Sequence, residues 1–154
     1  EYDLPVFTCE TIIMGKKRIF VVDAHKSGAG GERPYDEFFA RLQEVRSRYP
    51  ELIKHHKESK EGIASVQSEA ACRLKIPREL DQQAAALFSE YFATSLELIN
   101  SSEPTNGLVR AKLQTSFYKY LETVVDHDPG VKGNIMFFGK KEGLERALDI
   151  FYGV

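Results

Sequence analysis

The sequence predicts an α+β fold, a helix-rich single domain over 1–154 with a small antiparallel sheet at its N-terminal end. Three observations carry this. Two runs rich in β-branched and aromatic residues flank a short Gly-containing turn within the first 24 residues. From Tyr35 onward, apolar residues recur at spacings of three and four. Two of these helical stretches are long and lie on either side of a short loop dense in turn residues.

The first run, Pro5–Met14, and the second, Arg18–Ala24, read as a β-hairpin over 5–24. Ile19 to Val22 is continuously apolar, as in a strand covered on both faces. After a Gly-rich stretch, Tyr35, Phe38, Phe39, Leu42, Val45 and Tyr49 form one helical stripe. Pro34 suits its first turn and Pro50 breaks it. A short second helix follows, and Ile63–Lys75 reads as a weaker one, stopped by Pro77. The clearest elements are two amphipathic helices at about 78–99 and 107–125, expected to pack as an antiparallel hairpin beneath the sheet. Ile135–Phe138 reads either as a third strand or as the first turn of a last helix. A lone hairpin is marginal in water, so the sheet needs that strand or a helical cover.

Composition limits the functional classes. With 42% hydrophobic and 29% charged residues, the 154-residue chain has the makeup of a soluble globular protein. The net charge of -2 creates no global field for nucleic acid or a membrane surface. Residues 15–60 nonetheless hold 11 Lys/Arg against 7 Asp/Glu. Two distant cysteines, Cys9 and Cys72, are too few for a disulfide scaffold or a cysteine-rich zinc site, and they read as buried thiols. No run approaches the ~20 apolar residues of a membrane span, so no membrane insertion is expected. The chain lacks a starting Met and a signal peptide, which reads as an excised or processed piece. The compartment stays open, with the cytoplasm favoured. Asn100-Ser101-Ser102 matches a glycosylation acceptor, a pattern that also arises by chance.

Four stretches carry candidate chemistry. In the first, the apolar strand ends in Asp23 and His25, and a loop with Lys26, Gly28, Gly30, Gly31 and Arg33 leads into a helix. Backbone N–H groups and a helix N-terminus there would cradle an anion, making 23–34 a candidate phosphate or nucleotide site. Asp23 and His25, two apart on a strand, share a face and suit a general base with its orienting partner. No complete phosphate-loop or dinucleotide signature is present, and the plainer reading is a flexible connector. In the second, Glu51, His55 and Glu58 share a helix face as metal ligands would. The neighbouring lysines disfavour a cation there, and no metal is assigned. The third stretch, Asp126–Asp128, suits acid–base work, but equally the turn before Pro129. In the fourth, Lys16, Lys17 and Arg18 at the hairpin tip suit phosphate backbones, or simply solubility.

The segment Arg18–Gln43 resembles the opening strand, loop and helix of phage-derived toxins in the RelE superfamily, small ribonucleases that cut messenger RNA. The shared cue is a strand, a Gly-containing loop, Pro34, then Glu37-Phe38 on an amphipathic helix. The resemblance implies an RNA-acting protein using the basic residues of 16–48. That family continues into antiparallel strands with basic catalytic residues, whereas Pro77–Asp126 here reads as helices, and no family is assigned.

No catalytic constellation outweighs its plainer reading. The leading expectation is therefore a non-enzymatic binding or regulatory module acting through protein–protein contacts, with a protein partner or homo-oligomer and no cofactor. The phosphate- or nucleotide-binding site and the nucleic-acid partner are its rivals.

Overall fold

The computed structural model describes residues 2–27 and 34–152. Strand β1 (Val6–Met14) turns at Gly15, where φ is +59°, into β2 (Lys17–His25). The register runs from Val6 opposite His25 to Met14 opposite Lys17. The predicted hairpin is therefore present, and the chain is α+β with a three-stranded antiparallel sheet.

The third strand is not where the sequence reading placed it. It is β3 (Cys72–Pro77), paired antiparallel to β2 from Lys17–Pro77 to Val22–Cys72. Cys72, Leu74 and Ile76 are buried while Arg73 and Lys75 alternate to the other side, a period of two. The helix expected over 63–75 is only a 3-10 turn at Ile63–Ser65. Ile135–Phe138, the other reading of the third strand, lies inside a helix. Asp128 caps that helix by accepting from the Gly130 and Val131 N–H groups, and Pro129 opens it. Four apolar residues in a row do not distinguish a strand from a buried helix turn, and here the cap decides.

Helix α1 (Pro34–Ser47) is followed by the short α2 (Pro50–Ile53). The chain then runs along the outer edge of β3. The Lys57 N–H donates to the Arg73 carbonyl at 2.8 Å, and Lys75 N–H donates to the His55 carbonyl at 3.1 Å. That edge is thus covered, whereas β1 has no strand on its outer side among the described residues.

The two long helices are α3 (Asp81–Ser101) and α4 (Gly107–His127), joined by a short loop as predicted. They do not share one core. The alternation of β2 sends Phe20, Val22 and Ala24 to one side, where they meet Phe38 and Leu42 of α1 and Leu87 and Tyr91 of α3. Tyr120 and Val124 of α4 lie over the opposite face, with Ile63, Val66 and Val131. The tight helical hairpin is instead α5 (Pro129–Phe138) with α6 (Lys140–Tyr152). A Cβ at Gly143 would stand 2.5 Å from the Asn134 carbonyl oxygen and the Ile135 Cα, so the two backbones touch there.

Candidate functional site

The face of the sheet turned away from the main core carries the chemistry. Register places Thr8, Glu10 and Ile12 of β1 beside Asp23, Val21 and Ile19 of β2, with Arg73 next to Val21. The loop 58–67 and the start of α5 rise over this face and enclose a cavity of about 350 Å³. Small-molecule sites commonly occupy about 300–1,000 Å³. Its floor is Thr8, Glu10, Ile12, Ile19, Val21, His25 and Arg73. Its walls are Glu58, Lys60, Ile63 and Gln67 on one side and Asp128, Pro129 and Gly130 on the other.

Burial pushes the Glu10 carboxyl up from its ordinary range, and the charge of Asp128 pushes it further. Glu10 therefore holds a proton to higher pH than a free carboxyl would. Asp128 is held in place by its own capping bonds, 2.6 Å from Gly130 N and 3.1 Å from Val131 N. Arg73 and Lys60 line the cavity too, Arg73 from β3. Thr8 Oγ1 is buried, with no hydrogen-bond partner among the described residues, on the face that floors the cavity. A buried hydroxyl of this kind is costly unless a ligand or water completes it.

His25 lines the cavity and belongs to a buried polar cluster. Asp23 is fully buried and accepts from Ala24 N–H at 2.8 Å, from Ser68 N–H at 3.0 Å and from the Ser68 hydroxyl. Burial outweighs these bonds and lifts its pKa to about 6. His25 lies on the same face, with Nε2 3.7 Å from Asp23 Oδ2 and Nδ1 2.8 Å from the Tyr120 hydroxyl. Burial lowers its pKa to about 4, so the imidazole is neutral at pH 7. With Nε2 carrying the proton toward Asp23, Nδ1 accepts from the Tyr120 hydroxyl.

The residues singled out from the sequence fall in different places. Asp23 and His25 come together, and His25 reaches the cavity. Lys26 pairs with Glu69. Gly28, Gly30, Gly31 and Arg33 lie outside the described residues. Lys16 and Lys17 sit at the exposed hairpin turn, while Arg18 donates to the Gly15 carbonyl at 2.9 Å and lies 3.4 Å from Asp81. Among the described residues no cluster of His, Cys, Asp and Glu could hold a metal ion. Glu10, Thr8 and Arg73 were missed. The available signal was Glu10 itself, a lone carboxylate in an otherwise uncharged nine-residue strand, where Glu is disfavoured.

A second depression of about 760 Å³, along Phe117, Tyr118, Leu121, Val125 and Leu148, is mostly apolar and lies away from the sheet face. No described helix is long and apolar enough to cross a membrane.

No family model and no curated protein matches this chain. Among solved structures it is similar to phytochromobilin synthase from tomato, determined in complex with biliverdin. The TM-score is 0.78 at 17% identity, over 98% of this chain and 56% of that one. The present chain thus spans about half of the tomato protein, and the likeness shows a shared fold. It also corrects the functional expectation. A non-enzymatic module acting through protein contacts was expected because no constellation stood out in the sequence. The fold found is instead that of an enzyme solved with biliverdin bound.

Proposed function

We propose that this chain is a bilin-binding enzyme domain whose ligand, an open-chain tetrapyrrole, lies against the sheet face with part of its length in the 350 Å³ cavity. The observation that carries the reading is the facing pair Glu10 and Asp128 in that cavity, in a fold shared with a biliverdin-bound enzyme. A bilin offers pyrrole N–H donors, a basic nitrogen and a long conjugated system. A carboxyl whose proton affinity is raised by burial and by a facing carboxyl is equipped to give a proton to such a molecule. Glu10 takes the acid role because its burial favours the neutral form. Asp128, held by the α5 N-terminus, is the fixed side chain that faces it. The flat apolar floor of Ile12, Ile19 and Val21 suits the face of the conjugated rings.

The reaction class supported is proton-coupled reduction of the bilin. Reducing one double bond takes two electrons, delivered in two steps by an external one-electron donor, and two protons, one from Glu10, which solvent reprotonates, and one from solvent. Titration with biliverdin tests the binding step through the visible spectrum. A saturable shift of the long-wavelength band is expected, and its absence at every concentration rejects the reading. Glu10→Gln keeps the shape of the side chain but has no proton to give. It should bind biliverdin and lose reductive turnover by about 10²–10⁴-fold, the usual contribution of a general acid.

A further inference from the structure

The α5–α6 hairpin buries one side and exposes its tip. Val131 and Ala147 are buried in the second core cluster, with Ile135 and Leu144 packed against it. Then come Met136, Phe137 and Phe138, exposed at 74%, 77% and 46%. Gly139, with φ +81°, reverses the chain, and Lys140 and Lys141 follow, both exposed. Lys132, also exposed, lies one helical turn before Met136 and so on the same side of α5. Among the described residues none of these three lysines pairs with a carboxylate. Glu142 is already engaged, accepting from Arg146 Nε at 3.0 Å and Nη2 at 2.7 Å. The Arg146 guanidinium also stands 4.5 Å from the Phe138 ring centre, adding a further cation beside the apolar tip.

A convex tip of three consecutive large apolar residues flanked by free lysines, on a chain of net charge -2, is a local feature with a specific complement. Apolar rings beside lysines match the boundary between acyl chains and acidic headgroups. The rings leave water while the ammonium groups stay at the charged surface. The tip is too short to cross anything and lies on the surface. We propose that the α5–α6 tip docks this protein on an anionic lipid bilayer, through Met136 and Phe137 with Lys132, Lys140 and Lys141. This surface is separate from the sheet-face cavity and does not depend on what that cavity binds.

The chain contains no tryptophan, so Phe137→Trp places a single reporter at the tip. With vesicles of phosphatidylglycerol and phosphatidylcholine at low salt, its emission should shift to the blue and the protein should sediment with the lipid. Vesicles of phosphatidylcholine alone should give neither effect. Lys140→Glu with Lys141→Glu should weaken binding by at least about tenfold, since each lysine near an anionic surface contributes about fivefold. Met136→Ser with Phe137→Ser should abolish sedimentation while leaving the melting temperature unchanged, because both side chains are exposed. Absence of a blue shift and of sedimentation with anionic vesicles overturns the proposal. So does a blue shift that needs no lipid and grows with protein concentration, which would make the tip a contact between copies.

Discussion

The two faces of β2 do different work, although one nine-residue strand supplies both. Toward α1 and α3 it presents Phe20, Val22 and Ala24, all buried in an apolar cluster. Toward α4 and α5 it presents Ile19, Val21, Asp23 and His25, bordering a cavity and a polar cluster. On the first face every side chain contributes by excluding water and packing closely. On the second, space is left open and buried polar groups are retained, which costs stability unless each finds a partner. A sheet can carry a site because its alternation lets one face fold the protein while the other departs from packing rules.

The largest expected contrast comes from matched truncations. Leu74 is 1% exposed and belongs to the packed face, so Leu74→Ala should cost about 2–5 kcal/mol. Ile19 is half-buried on the cavity floor. Ile19→Ala enlarges a space already open and should cost about 1 kcal/mol or less. Urea denaturation of both variants measures the difference. Equal costs would mean that the cavity is closed and packed in solution, and that the two faces are alike.

On the cavity side, packing at Gly143 is as strict as in the main core. At Gly143 any Cβ meets backbone at 2.5 Å, and backbone cannot swing aside as a side-chain end can. Gly143→Ala should therefore lower stability by about 1–3 kcal/mol, as overpacking does, despite its gain in helix propensity. A thermal melt reads the result. A stabilised variant would show that α5 and α6 are held apart in solution.

How far the sequence revealed this contrast follows from which signals were local. The hairpin was legible because its turn and its two β-rich runs are adjacent, with Gly15 at the positive φ. Long helices were legible from their stripes. Their placement was not. The stripes of α3 and α4 look alike in sequence, and nothing local tells that they cover opposite faces. β3 was misread because CRLKIP is short and lies in a region whose spacing also fits a helix. The site fared worse for the same reason. Asp23 and His25 are two residues apart and could be paired by eye. Glu10 and Asp128 meet only through the fold, and no spacing in the chain announces them. Asp128 was noticed as part of a turn, which it is, since it caps α5. Its place opposite Glu10 in the cavity comes only from the fold.

The smallest expected effect is a pH slope hidden by compensation within the polar cluster. Asp23 rises from the ordinary 3.8 to about 6 in the folded protein. Between about pH 4 and 6 the folded state then keeps a proton that the unfolded state has lost, so this residue makes stability fall as pH rises. His25 drops from the ordinary 6.5 to about 4. Between about pH 4 and 6.5 the unfolded state holds a proton that the folded state refuses, so His25 makes stability rise with pH. The two slopes are opposite in sign, and each approaches about 1.4 kcal/mol per pH unit. Together they nearly cancel from pH 4 to 6, leaving only the His25 contribution near 6 to 6.5. Removing one partner should expose the other. Relative to wild type, Asp23→Asn should gain stability with rising pH across 4–6. His25→Gln should lose stability with rising pH over that range and on to 6.5. Taking differences from wild type removes the titration of every other carboxyl. Urea curves at half-unit pH steps measure both. Parallel wild-type and Asp23→Asn profiles would mean that Asp23 ionises when folded as it does when unfolded. The second face would then have found enough partners for its buried charge, and the contrast with the packed face would be one of shape alone.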